Sequence, residues 1–375
     1  MSATPRPEVP AMVNVHSHAF QRDMRGSAER LSAAATDDFW SWRTAMFDAV
    51  AKLDPDSMYT VTLAVYTEMV NAGYGTVGEF HYVHHQPDGR PYAEPNAMAI
   101  AVAEAAQAAG IELVLLPAAY HRNGWRDGAD MPPGPGQRRF CDPDVDTFLG
   151  RVEALRAWAS SRDGVSVGVA AHSVRAVPAA WLSAIAAYAQ MHELVRHVHA
   201  QEQPLELEQC QAEHGCSPIE LLDAHGFLGP LTTVVHAIHV SDADVDRMAR
   251  SGTIVAACPT TEANLGDGFL PALRYRDAGV RLTIGSDSNV RVDPFEEVRE
   301  LETIARRLGV SRDGLLARSG DLWSELAANG AASIGVDGEQ RLQVDMDHPA
   351  IRGVAESDLP YALATCAESG IIARN

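Results

Sequence analysis

The sequence predicts an α/β fold, a closed (β/α)₈ barrel of the TIM type, on three observations. Short apolar runs alternate with helical stretches eight times along the chain. Strict alternation of this kind calls for a parallel sheet covered by helices. Eight repeats within 375 residues suit a sheet that closes on itself better than an open doubly wound one. No G-x-G-x-x-G follows the first apolar run, which weakens the dinucleotide-binding alternative.

The elements follow in order. A strand at 12–15 ends at His16, and apolar residues at three- and four-residue spacing predict helices at 39–51 and 55–72. A strand at 76–80 precedes an Ala-rich helix at 96–109, stopped by Gly110. A strand at 111–116 precedes a helix at 144–159 with Asp144 at its start. The strand at 165–171 leads to a proline-opened helix at 178–190. Strands at 194–199, 231–236, 253–257 and 281–285 alternate with helices at 217–224, 242–250, 269–277 and 294–307. The segment 120–143 contains Met131-Pro-Pro-Gly-Pro-Gly136 and carries no helix or strand signal; long loops after barrel strands lie over the site. The tail reads as helices at 321–328 and 359–367 with a strand at 342–344. The expected organisation is an N-terminal remnant (1–11), a barrel (12–310), and a helical, partial-sandwich segment (311–375).

Composition narrows the partners. Thirty Lys+Arg against 50 Asp+Glu give a formal charge of −20, so neither nucleic acid nor an anionic membrane is an expected partner. A small anion is still allowed, because a few arginines in one pocket override the global sign. Lys52, read as part of a helix, is the only lysine, which excludes a Schiff base or a carbamylated lysine elsewhere. Five scattered cysteines make no disulfide framework, no apolar leader opens the chain, and no run of 18 apolar residues occurs. The expected location is the cytoplasm.

In a barrel of this type the chemistry stands at the C-terminal ends of the strands. Strand 1 ends in His16-Ser-His18, strand 5 in His199-Ala-Gln-Glu202, strand 6 in His236, and strand 8 reaches Asp287. Singly each is weak, since an H-x-H arises easily by chance among 15 histidines. Together, imidazoles and a carboxylate at strand ends are what a mononuclear catalytic metal centre needs, with Zn²⁺ or Fe²⁺ suited to the donors.

Longer motifs carry a resemblance. Asn14-Val-His-Ser-His-Ala-Phe-Gln-Arg22, Phe39-Trp-Ser-Trp-Arg43, Val77-Gly-Glu-Phe-His-Tyr-Val-His-His85, Ala171-His-Ser-Val-Arg175 and Val198-His-Ala-Gln-Glu-Gln203 are similar to the amidohydrolase superfamily. Within it, their combination resembles the formimidoylglutamate deiminases of histidine degradation, from about residue 12 to 308. The resemblance implies His16, His18, His199 and Asp287 as ligands of one divalent metal, Zn²⁺ first and Fe²⁺ second. It implies Glu202 as proton shuttle, Asp287 as proton acceptor and His236 beside the attacking water. It implies Gln21, Arg43, Tyr82, His172 and Arg175 around a small dianionic, amino-acid-derived substrate. The missing lysine on strand 4 favours one metal over a lysine-bridged pair. His81, His84 and His85 could form a second cluster, but loop packing is expected of them; His197 and His239 read as barrel residues, and His214, His225 and His348 as peripheral.

The chain departs from that pattern at its flanks. Fifteen residues precede His16, and the tail stops after a helix, so the small β-sandwich of the family is expected to be truncated. A homodimer is expected. The leading function is metal-dependent hydrolysis of N-formimino-L-glutamate to N-formyl-L-glutamate and ammonia. The alternatives are a deaminase of a purine, pyrimidine or triazine amine, and a non-catalytic barrel used for binding.

Overall fold

The structure, a computed structural model, describes residues 6–27 and 39–373, apart from the side chain of Trp40. Residues 1–5, 28–38 and 374–375 lie outside it, and with them the outer parts of the terminal segments. Eight parallel strands form the wall: β1 (Met12–Ser17), β2 (Tyr74–His81), β3 (Glu112–Ala119), β4 (Val165–Val167 with Val169–Ser173), β5 (Arg196–Ala200), β6 (Thr232–His236), β7 (Ile254–Ala257) and β8 (Arg281–Ile284). Each pairs with its successor. Strands β1, β2, β5 and β6 are buried along their whole length, as a parallel sheet covered on both faces requires.

Closure falls where the chemistry is expected. Past the end of β8, Ser17 and Asp287 form a parallel bridge. The Asp287 N–H donates to the His16 carbonyl at 2.9 Å, and the Asp287 carbonyl accepts the His18 N–H at 2.8 Å. Gly285 allows this approach, because a Cβ there would stand 2.7 Å from the His16 Cβ. The barrel therefore closes by threading Asp287 between the two histidines of H-x-H.

The outer layer includes α1 (Phe39–Val50) and α2 (Pro55–Ala72); a shorter helix, α3 (Pro259–Leu265), follows β7. The tail helix α4 (Leu322–Ile334) has a different place. Its Ser333 meets His197 of β5 and Thr233 of β6, and its Gly330 abuts Val13 and Val15 of β1 and Thr283 of β8. Ile334 reaches Gly78 of β2. A helix outside the wall meets two neighbouring strands; one that touches β8–β1–β2 and also β5–β6 lies across the barrel floor. Beside it, Glu8–Pro10 pairs antiparallel with Arg341–Gln343, and Val344 bridges Ile372.

Several expected elements differ. Strand β1 continues through Ser17, with a register shift between Asn14 and Ser17 that turns His16 out of simple alternation. Strand β4 breaks at Gly168, where a Cβ would meet Leu116 at 2.7 Å and the Val195 carbonyl at 2.8 Å. The segment 120–143 holds a hairpin, Trp125–Arg126 with Ala129–Asp130, turning on Asp127 and Gly128 at positive φ, and a 3-10 turn at Pro135–Phe140. The helix Pro204–His214 gave no apolar stripe because it buries only Glu206 and Cys210. Helix α3 was not expected, and the helix read at 269–277 begins at Ala272, after the exposed Phe269. Helix α4 runs past 328 through Gly330, a glycine kept for close approach to β1 and not for a helix end. Lys52 lies in the exposed turn after α1, outside any helix.

Candidate active site

The four expected metal ligands come together. Ligand atoms of His16, His18, His199 and Asp287, all buried, lie within 4.8 Å of one another. The Nε2 atoms of His16 and His199 face each other at 2.9 Å. Asp287 Oδ1 lies 3.3 Å from His18 Nε2 and 3.5 Å from His16 Nε2. Behind the cluster, His18 Nδ1–H donates to the Phe80 carbonyl at 2.8 Å and His199 Nδ1–H to the His172 carbonyl at 2.9 Å. A carbonyl only accepts, so each Nδ1 carries the hydrogen and each Nε2 lone pair faces the cluster. Burial pushes the pKa of all three histidines below the usual range, which keeps them neutral and ligating. Three neutral imidazoles turned on one carboxylate fit a small divalent ion.

Beside the cluster stand the expected proton-handling groups. Glu202 follows β5 directly after Gln201, and His236 ends β6; Gln201, His236 and Asp287 all have positive φ, the left-handed region that non-glycine residues rarely hold. His236 Nε2 lies 3.6 Å from Glu202 Oε1 and 3.7 Å from Asp287 Oδ2. Its Nδ1 faces Glu262 Oε1 at 3.2 Å. Burial pushes His236 down, but the Glu202, Glu262 and Asp287 carboxylates together outweigh it and lift the imidazole to about 10. Burial raises Glu202 above the usual carboxylate range.

The cluster opens into a cleft of about 440 Å³, whose lining includes Gln21, Arg43, Tyr82, His172 and Arg175, together with Trp42 and Leu265. Gln21 Nε2 donates to Tyr82 Oη at 3.0 Å. Burial keeps Tyr82 protonated and His172 neutral. The Arg175 guanidinium is pushed down by burial and then by the charge of Arg43, which lines the same cleft.

Comparison with known proteins agrees with this geometry. The model of the Amidohydrolase family matches residues 9–338. The chain belongs to the amidohydrolase family. It is 40% identical over 332 residues to the formimidoylglutamate deiminase of Pseudomonas aeruginosa, covering 87% of this chain and 72% of that protein. It is 27% identical over 336 residues to a 5-methylthioadenosine/S-adenosylhomocysteine deaminase of Desulforudis audaxviator, covering 89% and 69%. A solved amidohydrolase from Brucella melitensis superposes with a TM-score of 0.89 at 34% identity, covering 97% of this chain and 84% of that one.

For an amidohydrolase read from its sequence, every expected site residue is present in the cluster or the cleft. Others were missed. Glu262 of α3 holds His236 and also accepts the Cys258 N–H at 2.9 Å; a carboxylate five residues past the end of β7 was its only signal. Glu79 of β2 accepts the Ala19 N–H at 2.7 Å and the Tyr66 hydroxyl at 3.0 Å, which braces the turn after His18. Tyr120 accepts a hydrogen bond from Arg43. His84 and His85 pack as loop residues, on the Ala118 carbonyl and on Asp142, and among the described residues they form no second metal cluster with His81. His197 sits in the floor beneath α4, and His239 caps a loop through the Asp267 carbonyl.

Proposed function

We propose that this protein hydrolyses N-formimino-L-glutamate to N-formyl-L-glutamate and ammonia, with zinc as its metal, in cytoplasmic histidine degradation. Membership of a metal-dependent hydrolase family and 40% identity to a formimidoylglutamate deiminase support the reaction class. The observation that carries the substrate is Arg43 and Arg175 in the same cleft as the His/Asp cluster. A substrate with two carboxylates offers each guanidinium a planar, bidentate acceptor. A ring amine supplies neither. The homodimer expected from the resemblance belongs to the same reading, and sedimentation velocity tests it.

A divalent ion held by His16, His18, His199 and Asp287 would act as a Lewis acid and lower the pKa of a water from 15.7 toward ~7. The side chains do the rest. Asp287 turns Oδ2 toward His236 and accepts the proton of the attacking water. His236 donates through Nε2–H to the oxygen adding to the formimino carbon, while Glu262 holds its other nitrogen. Glu202, whose pKa burial raises, passes the two protons of the water in turn to the departing nitrogen, so that the C–N bond breaks as ammonia leaves and the formyl carbonyl forms. Arg43, Arg175 and Gln21 hold the glutamate portion, which fixes the formimino carbon over the cluster.

The test is ammonia release from N-formimino-L-glutamate beside a panel of purine, pyrimidine and triazine amines, with metal content measured on the same sample. Turnover of the formimino compound with about one ion per chain is expected. Turnover confined to ring amines overturns the substrate; a metal-free, inactive protein overturns the enzyme.

A further inference from the structure

We propose that Tyr120 is a positioning residue for substrate anion recognition, holding Arg43 at the cleft through a hydrogen-bond chain that the loop 134–140 anchors. This rests on Arg43 as a carboxylate-binding group. Tyr120 follows β3 directly, and its ring is buried, 4.6 Å from the His172 ring and 5.7 Å from Phe140. Its Oη accepts two hydrogen bonds of 2.8 Å, one from Arg43 Nη2 and one from Gln137 Nε2.

Gln137 is itself pinned. Its Oε1 accepts the Gly134 N–H at 2.9 Å, which forces the amide nitrogen toward Tyr120. The same loop is pressed onto α1, the helix that bears Arg43. Gly136 lies so close that a Cβ would stand 2.7 Å from the Phe47 Cβ. Arg139 donates to the Leu53 carbonyl at 3.0 Å and also to the Val50 carbonyl, at the end of α1. Arg43 stands over the Phe47 ring at 5.0 Å. A long arginine side chain samples many rotamers, and a fixed acceptor selects the one that faces the cleft before substrate arrives. The loop that gave no structural signal in the sequence thus bears on substrate choice through Gln137, Tyr120 and Arg43.

Tyr120→Phe keeps the ring contacts and removes only the hydroxyl. In the metal-loaded protein it is expected to raise KM for N-formimino-L-glutamate about tenfold, with kcat within roughly twofold and Tm and metal content unchanged. Gln137→Leu is expected to act the same way, about threefold. In an Arg43→Met background, Tyr120→Phe is expected to change KM by less than about twofold, because its effect passes through Arg43. An unchanged KM in the single variant, or an equal rise in both backgrounds, overturns the proposal. So does a fall in kcat alone. Calorimetric binding of N-acetyl-L-glutamate, a dicarboxylate without a formimino group, separates this from the reaction. If the wild type binds it, Tyr120→Phe weakens that binding about tenfold, and formiminoglutamate is not turned over, the deimination reading fails and this one stands. If the wild type does not bind it, this proposal falls.

Discussion

The floor of the cleft is built from strand ends, and its mouth from a helix and loops. At the floor, His16, His199 and His236 stand on β1, β5 and β6, and Asp287 is fixed by the backbone bonds that close the barrel. At the mouth, Arg43 comes from α1, Tyr82 and Arg175 follow β2 and β4, and Tyr120 opens the loop 120–143. The floor can hold its geometry while the mouth is rebuilt. Relatives of this chain are named for a formimino compound in one case and for adenosine derivatives in another, as expected of a barrel scaffold whose loops can vary.

The sharpest way to break this division is at the floor. His199→Ala should strip the metal and lower kcat/KM by about 10⁴-fold, read by metal analysis and ammonia release; a variant that keeps both would dissolve the distinction. Glu202→Gln should keep the metal and lower kcat by about 10³-fold, with KM little changed. At the mouth the signature should invert: Arg175→Met should raise KM by about 10²-fold with a much smaller loss of kcat. A large kcat loss there would assign Arg175 to the chemistry.

Two further tests bear on the support of the floor. Glu262→Gln should lower kcat about tenfold with metal retained, because His236 loses the carboxylate that orients it. Glu79, which faces the Ala19 N–H and the Tyr66 hydroxyl, is expected to affect stability more than turnover. Burial raises its pKa from 4.5 to about 7, only partly offset by hydrogen bonds from Ala19, Ser17 and Tyr66. Below pH 4.5 both folded and unfolded states are protonated; above pH 7 both are ionised, and the folded state bears the burial penalty. Stability should therefore fall as pH rises from 4.5 to 7, by about 3 kcal/mol, and Glu79→Gln should flatten that slope in denaturant titrations. A wild-type slope of the opposite sign would contradict the burial effect.

The floor was legible in the sequence and the mouth only in part, for a physical reason. Strand-end histidines sit in register with apolar runs, so His16, His18, His199 and His236 announce their own positions. Arg175 was placed at the active face by following strand 4, whereas Arg43, on a helix, stood out only through the resemblance of its motif. Gln137 and Tyr120 act through hydrogen bonds from an irregular loop, which leaves no periodic trace. Glu262 sits on a helix that periodicity did not reveal. The helix read at 321–328 continues through Gly330, whose contact with β1 on the far side of the sequence cannot be seen locally. The two-stranded pairing of Glu8–Pro10 with Arg341–Gln343 joins segments too short and too distant to signal each other.

The most direct test compares two substrates on the zinc-loaded protein, N-formimino-L-glutamate and N-formimino-4-aminobutyrate, which lacks the α-carboxylate. The expected result is ammonia release from both, with kcat/KM about 10²-fold higher for the dianion and the gap narrowing when Arg43 or Arg175 is replaced. Equal kcat/KM for the two compounds, or no release from either while a ring amine is hydrolysed, would contradict a floor for deimination beneath a mouth that reads two carboxylates.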